Sequence, residues 1–426
     1  MADKDFPHAS VLQGLRFTAQ VAVPNVIQGL FRRRQTAAAV ADRTRVDPLA
    51  RGFMEGMRRS YDDGPVWVRV AKDEALLLIG EGPIRHVLQQ SPDPFAADPE
   101  PKGSGMRHFQ PNALTISRGV DWKERRAFTE AVLDTGEPSH RLSEHFSQVC
   151  EEEAARLPAA LDWDAWNKAV RRAARRIILG EGAGDDDRLS EWLGDLMDKS
   201  NPPGKGSPKL YQELLAALDK YVQAAAPGSL ASLFADAPRT QRVHPTGQVI
   251  HWMFALGDTL AINAYRCLAL LAVFPDERAR AVGDASFMDA CLQEAMRLWP
   301  TTAMLSRVTT RKVEWDGVSL PKGTQLLIVN TFNHRDASRH KFADSFDPSV
   351  WLEGGAACGD WSFNHFSHGP QGCPGTGVAL LAGRTMLTEL LNTHEVRLLD
   401  AQLDPRKKLP DSLDFFSLKF QLTPRA

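Results

Sequence analysis

Seven stretches of this chain place apolar residues three and four positions apart over lengths that helices use: 139–156, 164–180, 186–199, 208–225, 247–273, 286–299 and 376–393. That spacing puts the apolar side chains on one face of a 3.6-residue turn. Strand-like alternation is confined to 66–80, 313–329 and the tail 415–424. Strands towards both ends with helices between them predict a mainly α chain with a small β-rich subdomain, not a repeating α/β wind. The Pro/Gly-rich run NPPGKGSP, 201–208, joins two of the helices as a surface turn that can move.

Charge and cysteine usage exclude several functions. With 426 residues and a formal net charge of -2, the chain offers no overall basic field for nucleic acid. Arginines do cluster in FRRRQ (31–35) and RRAARR (171–176), and the reading for both is a solvated helix face. Five cysteines, with no CxxC pair, indicate neither a disulfide framework nor a zinc site. The N-terminus has no charged start followed by an apolar run, so no secretory signal is expected. Arg16, Gln20, Pro24 and Asn25 interrupt the apolar stretch 11–30, which can touch a membrane or a partner but not span a bilayer. A cytoplasmic protein without a transmembrane segment is the expectation.

One cysteine has unusual surroundings. Cys373 lies in HGPQGCPGTG, just before the apolar helix 376–393. Pro374 suits a first helical position, where its missing amide would have had no partner, which makes Cys373 the expected N-cap. A helix N-terminus favours the thiolate. Gly369, Gly372 and Gly375 would let backbone approach something flat and large. A single thiolate against a planar cofactor is haem ligation of the oxygen-activating kind.

Here the sequence resembles the cytochrome P450 family. Phe366, Gly369, Cys373 and Gly375 match its haem-binding signature F-x-x-G-x-x-x-C-x-G. Glu294 and Arg297 match its E-x-x-R pair, which shares a helix face and forms a buried ion pair. Trp122 and Arg126 match W-x-x-x-R, and ALGDTL (255–260) resembles the oxygen-site helix motif, with Asp258 and Thr259 as its acid–alcohol pair. The four motifs occur in family order, and the resemblance covers about residues 60–426.

The resemblance implies one cytochrome P450 domain over 1–426, with 1–60 as N-terminal extension and first helices, about 60–120 and 300–330 as the β-rich part, and 121–299 and 331–426 as the α-rich haem-binding part. It implies haem b (iron protoporphyrin IX) with Cys373 as iron ligand. Trp122, Arg126 and Arg307 would hold the propionates, with Gln371 donating neutral hydrogen bonds where relatives carry Arg or His. Asp258 and Thr259 would relay protons during oxygen activation. Relatives supply an arginine near position 350 as third partner to Glu294 and Arg297; this chain has Val350, so His365 or another donor substitutes, or the pair stands alone.

The implied function is a monooxygenase acting on a hydrophobic or amphipathic small molecule, in bacterial secondary metabolism by family analogy. Electrons would come from a separate ferredoxin and its reductase, with Lys123 and Arg125 available for docking. Met106, Phe109, Leu114, Phe254, Ala255, Met304 and Leu305 are the expected pocket residues. Two alternatives stay open: peroxide use, oxidative coupling or rearrangement without oxygen insertion, and a haem-thiolate sensor or carrier without turnover.

Overall fold

The computed structural model describes residues 4–399 and 403–425. Its main helices follow the periodicity: Ser143–Ala155, Trp163–Leu179, Asp187–Ser200, Pro208–Ala224, Ala285–Leu298 and Thr376–Thr393, plus a long helix running through Pro245–Val273. That last helix is apolar and long enough to cross a membrane by composition, yet 67% of its most apolar window is buried. It packs against Trp163–Leu179 and Ala285–Leu298. Two side chains on Trp163–Leu179 fix it: Trp166 Nε1 donates to Ala261 O at 2.9 Å and Asn167 Nδ2 to Gly257 O at 2.9 Å. The second bond falls inside a π-helical turn, Ala255–Leu260, where the backbone ladder widens. Such turns recur at functional sites.

The alternating stretches resolve into two sheets. Val66–Val70 turns back on Asp73–Leu78, which runs parallel to Gln325–Val329; Met304–Thr309 and Phe95–Ala96 complete five strands. Val313–Trp315 and Val318–Leu320 form a separate hairpin, with Asp316 (φ 52°) and Gly317 (φ 81°) both left-handed at its tip. That is the backbone an Asp-Gly hairpin turn adopts, and glycine takes it without a Cβ penalty. The tail alternation at 415–424 leads to a third sheet, in which only the partner strands were not expected. There the tail strand Phe420–Pro424 pairs with His394–Leu398 and with the two-residue strand Ala160–Leu161. Strands this short carry no readable alternation.

RRAARR is not the solvated face its charge predicts. Arg175 and Arg176 are buried. Arg175 donates to Ala183 O, Gly184 O, Ser190 Oγ and Asp187; Arg176 binds Glu152, Glu153 and Glu181. A buried guanidinium is tolerable only when its donors are spent in this way.

Glu294 and Arg297 are fully buried and form a bidentate pair, Nε–Oε2 and Nη2–Oε1 both 2.7 Å. Arg297 also donates to the carbonyls of His334, Phe342, Ala343 and Ser345, so one side chain gathers the 334–345 segment. The missing arginine is replaced by the residue next to Val350. Trp351 Nε1 donates to Glu294 Oε2 at 2.8 Å, and Asp347 N donates to Oε1 at 3.0 Å. His365 makes neither bond. Trp351→Phe leaves one buried carboxylate oxygen short of a donor. It is expected to lower stability by about 1–3 kcal/mol, read as a fall in the urea midpoint; an unchanged midpoint would mean that Trp351 is not the third partner.

Candidate active site around Cys373

The 364–375 loop brings Cys373 to the middle of the molecule. Gly369 is required where it stands: its φ is 67°, and a Cβ would lie 2.4 Å from Leu88 O. Gly372 and Gly375 have milder surroundings, so the tight approach served by Gly369 is to a neighbouring chain segment and not to a cofactor. Cys373 N donates to Phe366 O at 2.7 Å, closing the loop. The helix itself starts later than expected. Gly375, not Cys373, precedes its first residue, Thr376.

Cys373 has accessible surface yet is enclosed by protein on all sides. The two facts agree because the thiol opens into an internal cavity and not onto the outer surface. Burial pushes the thiol pKa up, while the Gly375 N–H, the Thr376 side chain and the positive charge of Arg126 pull it down. Pro374 contributes no amide, so Gly375 provides the backbone donor.

Two adjoining cavities of about 150 and 230 Å³ meet over the sulfur and share eight lining residues, Cys373, Phe366, Gly375, Ala255 and Thr302 among them. The smaller contains no charged residue. Ala255, Leu256, Thr259 and Leu260 of the π-helical turn form one wall and Phe366, Val378 and Ala379 lie across from the turn in sequence. The larger is lined by Lys102, Arg126 and Arg307, with Trp122 and Gln371, and by no carboxylate. An apolar slot with a cationic edge only partly balanced, Arg126 alone being ion-paired, and one thiol fits a flat apolar ligand that carries acid groups along one side. Haem has that shape and charge.

The polar edge supports this fit. Arg307 is buried, its pKa lowered by burial to about 10, with only neutral partners: Ser91 Oγ at 3.1 Å, Ser306 O at 3.0 Å and Ser367 Oγ at 3.3 Å. Gln371 Oε1 is buried without a hydrogen-bond partner. Arg126 donates to Gly372 O at 2.6 Å and to Glu130 at 2.6 Å. Lys102 was missed by sequence reading. It sits in a short helix, Lys102–Arg107, and its Nζ donates to Ala97 O at 2.8 Å. Burial and nearby Arg307 push its pKa down to about 7. An isolated lysine in a Pro/Gly-rich stretch carries no signal in sequence; only the fold sets it beside Arg307.

Other expected residues divide. Leu114, Ala255 and Leu305 line the cavities beside Cys373. Met106 and Phe109 are buried core instead, Phe109 packing its ring against Phe31 and Phe254. Met304 faces a separate cleft, and Phe254 a wide cavity of about 710 Å³. Thr259 borders both that cavity and the apolar slot. Asp258 borders only the wide cavity, where Arg171 Nη2 grips its Oδ1 at 2.5 Å. Gly257 leaves the room for Arg171, whose Cγ would lie 3.3 Å from a Cβ there. Arg125 is not available for docking: it is buried, donating to Arg242 O, Ser117 Oγ and Asn112 Oδ1, while Lys123 is exposed.

A mainly helical body with small sheets closes around one thiol near the start of a long helix. Residues 273–422 match the family model described as Cytochrome P450. That match covers about a third of the chain. Among curated proteins it is similar to the probable cytochrome P450 4s3 of Drosophila melanogaster, 28% identical over 34% of this chain and 32% of that one. It is also similar to cytochrome P450 714D1 of Oryza sativa subsp. japonica, 33% identical over 34% of this chain and 30% of that one. The matched stretch thus spans about a third of the curated relatives' length. Among solved structures, the retinoic acid-bound cyanobacterial CYP120A1 superposes with a TM-score of 0.70 at 18% identity, over 88% of this chain and 94% of that one. The cytochrome P450DA haem domain gives 0.70 at 14% identity, over 88% and 92%. The family carries haem and its members are typically monooxygenases.

Lys102 makes the cationic edge dependent on pH. Without an anion, the folded chain sheds this proton above about pH 7, whereas the unfolded lysine keeps it to its ordinary 10.5. Burying the charged amine therefore costs stability in full below about pH 7, and the penalty is relieved as pH rises. A bound carboxylate restores the charge, so above about pH 7 binding must take up a proton. Haem release to a scavenging apoprotein is expected to accelerate from pH 7 to 9 by up to about tenfold per unit. Lys102→Met should release haem faster at neutral pH and lose that slope; a flat wild-type profile would remove Lys102 from the site.

Proposed function

We propose that this chain is a haem-thiolate cytochrome P450 monooxygenase. It oxidises a hydrophobic or amphipathic small molecule with O2 and with electrons from separate proteins, a ferredoxin and its reductase. Cytoplasmic location and a role in bacterial secondary metabolism belong to the same proposal and rest on family analogy, including likeness to a cyanobacterial structure. The observation that carries the reading is the enclosed thiol of Cys373 between a charge-free slot and an edge of three cations, of which Arg126 is ion-paired to Glu130 and Lys102 and Arg307 have no carboxylate on their donors.

Cys373 would hold the iron through sulfur, with the Gly375 N–H withdrawing part of its charge. Arg126, Arg307 and Lys102, with Trp122 and Gln371, would hold the propionates, and Phe366 and Gly375 would pack the macrocycle. Bound there, the haem supplies oxygen activation, to which a thiolate contributes by pushing electron density towards O–O cleavage. The π-helical turn keeps Ala255, Leu256 and Leu260 against the slot, which excludes bulk water. Thr259 sets a hydroxyl at the boundary between slot and wide cavity, where it can hold a water and pass protons inward. Asp258, on the solvent side, would orient that water's partners while Arg171 fixes its carboxylate.

The Asp258–Arg171 pair also favours a second reading. A carboxylate whose Oδ1 is held by Arg171 is less free to turn towards the slot, which suits peroxide use, oxidative coupling or rearrangement. A sensor or carrier is disfavoured by the wide cavity that reaches Thr259.

Reduced holoprotein exposed to carbon monoxide is expected to show the red-shifted Soret band of thiolate coordination. Cys373→Ser should lose it while still binding haem; a mutant that keeps the band would overturn the assignment. Thr259→Ala is expected to cut product formed per electron consumed by about tenfold or more. Unchanged coupling would move the assignment to the second reading.

A further inference from the structure

The 710 Å³ cavity adjoins the slot, since Thr259, Thr301 and Thr302 line both. FRRRQ was expected to be a solvated helix face. Instead residues 29–35 form part of this cavity's wall. Asn201, in the mobile-looking turn between two helices, holds the segment in place: its Oδ1 accepts from Phe31 N and its Nδ2 donates to Arg32 O, both at 2.9 Å.

Half of the eight cations lining the cavity are neutralised, Lys168 by Asp187 at 3.1 Å among them; Arg34 donates to the carbonyls of Ile27 and Pro202, and Lys419 is exposed. Arg32 pairs with Asp198 at 2.7 Å, Arg171 with Asp258, and Arg175 with Asp187. Arg33 is different. Among the described residues no carboxylate lies within ion-pairing distance of it, and the hydrogen bond found for its five donors runs to the neutral Gln28 Oε1 at 3.3 Å. It is enclosed by protein, keeping accessible surface only because it borders cavities. Burial lowers its pKa, and the field of Asp47 only partly opposes this. The neighbouring Arg266 adds positive charge, but its own donors are spent on Trp299 O and Leu413 O. Asp162, Asp164 and Glu191 also line the cavity, and Asp47 lines the adjoining cleft beside Arg33, so neither is uniformly positive. The cavity's wall also holds Phe254, Phe415 and Phe416, an apolar path inward.

A desolvated guanidinium with no carboxylate on its donors is costly, and its planar fork matches a carboxylate. We propose that the substrate is an amphipathic carboxylic acid whose acid group is held by Arg33, with its apolar body directed past Thr302 towards Cys373. This rests on the reading of the Cys373 slot as the reaction site, and it narrows the substrate class that reading leaves open.

The test uses haem-loaded protein, with a saturated twelve-carbon acid, its methyl ester and the matching primary alcohol as probes. Binding is followed both by calorimetry and by loss of the iron-bound water signal. The acid is expected to bind about tenfold or more tighter than ester or alcohol, as a charge-assisted bond to a buried group requires. Arg33→Met should abolish that preference by weakening the acid alone, and Arg33→Lys should restore part of it. Equal binding of acid and ester, equal loss of both in Arg33→Met, or no binding of the acid would each overturn the proposal. Calorimetry reports on Arg33 even if the carbon monoxide spectrum denies Cys373 its role, so the two failures are separable.

Discussion

The buried charge at Glu294 and Arg297 is the constraint on which the thiol's position depends. Neither side chain has any exposed surface. Each would therefore destabilise the fold if left unpaired. Arg297 is satisfied only when the carbonyls of His334, Phe342, Ala343 and Ser345 converge on it, and Glu294 only when Trp351 and Asp347 reach it. The segment that leads into the Cys373 loop is thus anchored to the helix that packs against the central one.

On that anchored frame the slot meets two opposed demands. A macrocycle wants an apolar, dry environment, whereas its carboxylates want charge. The chain separates the two: residues of the π-helical turn and the last long helix make the charge-free face, while Lys102, Arg126 and Arg307, from three distant parts of the sequence, make the edge. Without an anion that edge holds its cations away from water at a cost, as the lowering of the Lys102 and Arg307 pKa values by burial records.

What could be read from sequence was whatever repeats locally. Helix 376–393 was placed to the residue because its apolar spacing runs unbroken, and Cys373, Phe366, Trp122 and Arg126 stood out through fixed spacing. Contacts between distant segments left no such trace. Trp351 as the partner of Glu294, Lys102 beside Arg307, and the pairing of Ala160–Leu161 with the tail strand exist only once the chain is folded. Charge runs misled for the same reason. RRAARR looks solvated until the acids at 152, 153, 181 and 187 are brought against it, and FRRRQ until the fold turns it inward.

The grip of Asn201 on Phe31 and Arg32 has a consequence for motion. The same amide side chain belongs to the turn between Asp187–Ser200 and Pro208–Ala224 and to the scaffold of Arg33. Whatever moves that turn at Asn201 therefore also moves the backbone on which Arg33 stands, so the two segments act as one mechanical unit.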